Sequence, residues 1–267
     1  MDQLELDRMQ GYLLDMDGTF YLGDRLLPGA KEFLEFLEQR EIPFLFLTNN
    51  SSRHRGHYAQ KLARLGLDVP EEKIFTSGEA TCLWLQNNYP DAKVYLIGTP
   101  ALQDEFQAHG IPLAENEPTL VVLGFDTTLT YERLWKLCDW VRMGLPYIAT
   151  HHDFVCPTPQ GPMPDVGAMI AFVEAAVGRR PDVIIGKPHL PMVEALQEKI
   201  GMPRDALCMI GDRLYTDIAM GAHGIRTILV LSGETQAGDL AQSDVQPDVV
   251  FENLQAVLQY LQGTSRA

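Results

Sequence analysis

Residues 13 to 19 read Leu13-Leu14-Asp15-Met16-Asp17-Gly18-Thr19. An apolar run that stops in two carboxylates and a glycine marks either a solvated turn, for which Asp-x-Asp-Gly is good chemistry, or a place where something cationic belongs. Three other apolar runs also end in polar clusters. Residues 44–47 run into Thr48-Asn49-Asn50-Ser51, 183–185 into Gly186-Lys187-Pro188, and 206–210 into Gly211-Asp212-Arg213-Leu214-Tyr215-Thr216-Asp217. Ligands of open parallel sheets collect at the carboxyl ends of strands. Four such ends with complementary chemistry point to one phosphate-and-metal site.

Outward from these runs, short apolar segments alternate with helical patterns, as βαβ units require. The patterns predict strands over 12–15, 44–47, 94–97, 119–124, 147–150, 183–185, 206–210 and 227–231. They predict helices over 29–40, 54–65, 79–88, 101–109, 131–143, 168–177, 191–199, 217–223 and 254–261. Residues 19–27 read as a β-hairpin around Gly23-Asp24, with Phe20 and Tyr21 placed to gate water at the strand end. Residues 151–167 are rich in proline and read mostly as loop. Trp84, Trp135 and Trp140 fall on helical patterns and read as packing residues. A single open sheet of so many strands is uncommon, so a sheet interrupted by an inserted α/β domain is the better expectation.

The chain has 267 residues, 46% of them hydrophobic, enough for a sizeable core. A formal net charge of −15 argues against nucleic acid or an anionic membrane surface as partner. Four well-separated cysteines without a Cys-x-x-Cys spacing speak against a disulfide framework or a zinc ribbon. The first residues lack the basic and apolar regions of a signal peptide, and no run nears the roughly 18 apolar residues of a membrane span. The expectation is a soluble cytoplasmic protein.

Taken in order, Asp15-Met16-Asp17-Gly18-Thr19, Thr48, Lys187, and Gly211-Asp212 with Asp217 resemble the four motifs of the haloacid dehalogenase-like (HAD) hydrolases, and the resemblance covers nearly the whole chain. Thr48-Asn49-Asn50 and Gly186-Lys187-Pro188 look like the subgroup with a type IIA cap, which holds 4-nitrophenylphosphatases, phosphoglycolate phosphatase and N-acetylglucosamine-operon phosphatases. The resemblance implies an α/β fold: a Rossmann-like core with a parallel sheet, discontinuous over 1–77 and 183–267, and a large inserted α/β cap over 78–182 that closes over the site.

Chemistry assigns the roles. Phosphoryl transfer needs a nucleophile, a cation to neutralise phosphate oxygens and donors aimed at them. Asp15 is placed to attack phosphorus and form an aspartyl-phosphate. Asp17 is placed to protonate the leaving oxygen and then deprotonate the attacking water. Mg²⁺ takes oxygen ligands, supplied by Asp15 and Asp212, with the backbone carbonyl of Asp17 implied by the resemblance. Asp217 would either touch the ion directly or, the favoured reading, orient water and Lys187 from outside its ligands. Thr48, through its hydroxyl, and Asn49, through its N–H, would bind the phosphoryl group, and Lys187 would offset its charge. The competing readings are a helix N-cap for Asp212 and a solvated surface lysine for Lys187.

Within the family an acid at Asp17 separates phosphatases from ATPases and dehalogenases, so the expected activity is hydrolysis of small phosphomonoester metabolites, sugar phosphates among them. In the loop 151–167, Asp153 is the candidate for a substrate hydroxyl, against an ordinary surface loop or a metal group of His151, His152, Asp153 and Cys156. Self-association through the cap occurs among relatives. The rival functions are a phosphotransferase or mutase with the same machinery, and a non-catalytic phosphometabolite-binding regulator.

Overall fold

In the computed structural model, residues 9–158 and 160–264 are described. The chain runs through β1 (Gly11–Asp15), β2 (Tyr21–Leu22), β3 (Arg25–Leu26), α1 (Ala30–Gln39), β4 (Phe44–Thr48), α2 (Arg55–Arg64), β5 (Ile74–Thr76) and α3 (Ser77–Asn88). It continues through β6 (Val94–Ile97), α4 (Pro100–Ala108), β7 (Leu120–Leu123), α5 (Tyr131–Arg142), β8 (Tyr147–Ala149), β9 (Val155–Cys156), β10 (Met163–Pro164) and α6 (Val166–Val177). The last elements are β11 (Val183–Ile184), α7 (Leu190–Ile200), β12 (Leu207–Gly211), β13 (Arg226–Val230), β14 (Val249–Phe251) and α8 (Leu254–Thr264). No helix among the described residues is long and apolar enough to cross a membrane.

The chain forms two compact units. Among the described residues, the first takes the chain up to Leu47, then Ala59–Ile74, then the chain from Leu196 on; the second takes Thr48–Tyr58 and Phe75–Ala195.

The first unit is built on a sheet of order β14-β13-β12-β1-β4-β5. β1 pairs in parallel with β12 on one side and β4 on the other, with Leu13 opposite both Met209 and Leu45. Strands buried on both faces need continuous apolar runs rather than alternation. Leu13, Leu14, Phe46, Leu47, Met209 and Ile210 meet that need, and each is 0% exposed. From β1 the chain winds to β4 and β5 on one side and later to β12, β13 and β14 on the other. The strand order therefore reverses beside β1, which is where a crevice opens at the carboxyl ends of a doubly wound sheet. Asp15 ends β1 at that point.

The second unit holds a parallel sheet of order β11-β8-β7-β6. Tyr95, Val121, Leu123 and Tyr147 from this sheet pack with Leu137, Val141, Ile170 and Val173 from α5 and α6. Its helices start on side-chain caps. Thr76 accepts from the Glu79 N–H at 3.0 Å, and Asp165 caps α6 by accepting from the Val166 N–H at 2.6 Å. These caps carry α3 and α6 a turn or less upstream of where periodicity places them.

Several short features differ from expectation. β5 and β14 have three residues each, too few for a period to register. The loop 151–167 contains a two-residue antiparallel pair, β9 and β10. The stretch expected as a helix over 217–223 is a 3₁₀ segment, Ile218–His223, ended by Gly224 at φ 84°. Phe20 does not gate water; it is 0% exposed and stacks edge-on against Phe46 at 4.8 Å. Trp135, read as a packing residue, is instead 62% exposed. None of the four cysteines is in a disulfide.

Gly29 tests how tightly the first unit is built. It caps α1 at φ 81°, and a Cβ there would meet the backbone of Gln255 at the start of α8. Gly66 has a similar φ of 87° but nothing within 4 Å. Gly66→Ala should lose about 1–2 kcal/mol from the left-handed backbone alone, and Gly29→Ala should lose more because α8 must also shift. Urea unfolding of the two variants measures the difference; equal losses would show that the α8 contact yields at no cost.

Candidate active site

The turn after β1 is fixed by its own backbone. The N–H groups of Thr19, Phe20 and Tyr21 all point at the Met16 carbonyl, at 3.3, 2.9 and 3.2 Å, and Gly18 adopts φ 88°. This is turn chemistry, and it serves to bring acids together. Asp15, Asp212 and Asp217 each offer a carboxylate oxygen, and the three oxygens lie within 4.8 Å of one another. Among the described residues this is the one group of three or more His, Cys, Asp or Glu side chains so arranged; the set His151, His152, Asp153 and Cys156 does not converge in that way.

Three glycines make room for these carboxylates. A Cβ on Gly18 or on Gly233 would collide with the Asp212 carboxylate, and one on Gly211 would collide with Asp217. Gly18 and Gly211 belong to the motifs; Gly233, just after β13, carries no sequence signal. Asp212 is 1% exposed, and its Oδ2 accepts from the Glu234 N–H at 2.6 Å. Its Oδ1 is buried with no hydrogen-bond partner, an arrangement costly for a carboxylate unless a cation completes it. Burial, and then the neighbouring Asp217 charge, push its carboxyl up to about 7. Asp212 does not cap a helix; the 3₁₀ segment begins after Asp217, which makes no side-chain cap bond. Instead Asp217 Oδ2 accepts from the Arg213 N–H at 3.1 Å. Three carboxylate oxygens this close together, in a group whose Asp212 has one oxygen without a hydrogen bond, fit a divalent cation of the Mg²⁺ or Ca²⁺ kind better than a thiophilic metal.

Asp17 stands apart from that trio. Its carboxylate accepts from the Tyr21 hydroxyl at 3.3 Å and pairs with the Lys61 ammonium at 3.7 Å. Neither partner was marked by the motifs.

In the second unit the remaining candidates form their own buried cluster. Thr48 is the last residue of β4, and its hydroxyl accepts from the Asn50 N–H at 3.1 Å. The Asn49 side chain accepts from the Lys187 N–H at 2.8 Å and donates to the Lys187 carbonyl at 3.1 Å and to Asp153 Oδ1 at 2.9 Å. A Cβ on Gly186 would press on the Asn49 amide oxygen and on His151. Lys187 is 2% exposed, which disposes of the surface-lysine reading. Behind Asp153, the fully buried His151 lies 3.7 Å from Asp153 and 3.4 Å from Asp165. The sequence reading missed this bracing, since Asn49 and Lys187 are 138 positions apart.

A family model described as haloacid dehalogenase-like hydrolase matches residues 12–112, and a second, HAD-hydrolase-like, model matches 184–257. The chain is 47% identical to a 4-nitrophenylphosphatase from Thermotoga maritima of known structure, with a TM-score of 0.93 over 96% of this chain and 99% of that one. It is 33% identical over 260 residues to an acid sugar phosphatase from Staphylococcus aureus, covering 96% of this chain and 100% of the relative. It is 32% identical over 253 residues to the 5'-nucleotidase YutF from Bacillus subtilis, covering 94% and 98%.

The raised carboxyl of Asp212 sets a pH test. A carboxyl that binds its proton more tightly folded than unfolded adds stability below the ordinary carboxylate range, and that contribution fades as pH rises through about 7. A cation competes with the proton for the same oxygens. The rise in melting temperature on adding Mg²⁺ to chelator-treated protein should therefore be larger at pH 8 than at pH 5.5, and Asp212→Asn should flatten the difference. A rise equal at both pH values would detach Asp212 from the metal.

Proposed function

The chain belongs to the haloacid dehalogenase-like hydrolases, and from that membership we propose a Mg²⁺-dependent phosphatase that hydrolyses small phosphomonoester metabolites through an aspartyl-phosphate on Asp15. The named relatives are phosphatases and a nucleotidase, so phosphomonoester hydrolysis is the shared activity. One observation carries the reading: Asp15, Asp212 and Asp217 converge at the carboxyl end of the central strand with an unsatisfied oxygen on Asp212.

Asp15 is the nucleophile. Its oxygen attacks phosphorus in line as the ester oxygen departs, and Asp17 delivers the proton that the leaving alcohol needs. Water then attacks the acyl phosphate, Asp17 takes its proton, and inorganic phosphate leaves. Asp15, Asp212 and the Asp17 carbonyl would hold Mg²⁺, which when bound neutralises charge on the phosphoryl oxygens. Asp217 offers a further carboxylate oxygen beside that site and is held by its bond from the Arg213 N–H. Thr48, Asn49 and Lys187 are the groups assigned to the phosphoryl oxygens. For Asn49 only the backbone N–H serves this role, because its amide is engaged with Lys187 and Asp153. The inserted segment 78–182 and Asp153 are assigned to substrate selection, with sugar phosphates as the favoured class.

Asp15→Asn should lower turnover of 4-nitrophenyl phosphate on the order of 10³-fold or more, as loss of a nucleophile does, with the circular dichroism spectrum unchanged. Near-normal turnover would remove Asp15 from that role. Full chelation of divalent cations should abolish activity and added Mg²⁺ should restore it; a chelated enzyme that turns over at its original rate would exclude the metal.

A further inference from the structure

We propose that Lys61, with the Tyr21 hydroxyl, is a positioning residue that holds the Asp17 carboxylate in the orientation from which it moves protons. This rests on the reading of Asp17 as general acid and base.

Asp17 lies in a turn with its side chain 41% exposed, where a carboxylate left to itself samples several rotamers. Here both oxygens are engaged. Oδ2 accepts from the Tyr21 hydroxyl at 3.3 Å, and Oδ1 lies 3.7 Å from the Lys61 ammonium. Each partner is fixed in turn. The Tyr21 backbone is tied to the same turn, its carbonyl accepting from the Gly18 N–H at 2.8 Å and its N–H reaching the Met16 carbonyl at 3.2 Å. Tyr21 as a whole is 0% exposed, so its ring does not swing. The Lys61 ammonium sits over that ring, 3.8 Å from its centroid, where the ring face attracts a cation. Lys61 belongs to α2, far along the chain from the turn, and its side chain is only 21% exposed.

An ordinary surface ion pair joins two side chains that stay mobile. In this one, a turn, a hairpin strand and a helix supply three groups that close on one another: carboxylate to phenol, carboxylate to ammonium, ammonium to ring. Proton transfer gains from a donor already held in place. A lysine whose contacts run to the carboxylate and to the ring under it acts through Asp17.

The test uses a series of aryl phosphates from 4-nitrophenyl to phenyl phosphate, whose leaving groups need increasing help from an acid, with kcat/KM measured for the wild type, Asp17→Asn, Lys61→Met, Lys61→Arg and the Asp17→Asn/Lys61→Met double variant. Lys61→Met should lower kcat/KM for phenyl phosphate about 5- to 20-fold, a fraction of what general acid catalysis supplies, and change 4-nitrophenyl phosphate less than about 2-fold. Lys61→Arg should recover most of the loss, and Lys61→Met should add nothing once Asp17 is Asn. A loss uniform across the series, no loss at all, or an equal loss in the Asp17→Asn background would overturn the positioning role while leaving Asp17 as the acid. An Asp17→Asn variant that treats every ester alike would instead remove Asp17 as the acid, and Lys61 with it.

Discussion

Three carboxylates that meet at the end of a buried strand impose a condition on everything around them. Burial, and then the neighbouring Asp217 charge, disfavour ionisation of Asp212, and its Oδ1 has no hydrogen-bond partner. Such an arrangement is costly on its own, and three carboxylate oxygens this close suit a hard cation. The sheet makes the arrangement unavoidable: β1 and β12 are neighbours in register, Leu14 opposite Ile210, so the residues that follow them emerge side by side. The glycines at 18, 211 and 233 then remove the one remaining obstacle, which is the volume of a Cβ.

The second unit fixes the backbone of a lysine that is only 2% exposed. The Asn49 amide binds the Lys187 backbone through both its donor and its acceptor, and Asp153, His151 and Asp165 continue the polar network behind it. Asp153, which the sequence offers as a residue for the substrate, is thus also part of this support. The named relatives are a 4-nitrophenylphosphatase, an acid sugar phosphatase and a 5'-nucleotidase, so their named substrates differ in everything but the phosphoryl group.

Much of this was readable from the chain because it is local. An apolar run that ends in Asp15 and Asp17, and others that end in Thr48, Lys187 and Asp212, declare strand ends within a few residues. The hairpin around Gly23-Asp24 was legible for the same reason. What escaped is either too short or too distant. Three residues such as 74–76 contain no measurable period. The contacts of Asn49 with Asp153 and Lys187 span 104 and 138 positions, and Lys61 reads as one more charge on a solvated helix until the fold sets it over the Tyr21 ring. The glycine at 233 likewise acquires its meaning only when Asp212 lies against it.

The central claim is covalent capture of the phosphoryl group by the strand-end carboxylate. Acid quench during turnover, followed by borohydride reduction and mass spectrometry, reads it directly, since reduction of an acyl phosphate converts that aspartate to homoserine. The account expects homoserine at Asp15 and nowhere else. Modification of a different side chain, or none while turnover is demonstrably under way and the second step is slow, would contradict it.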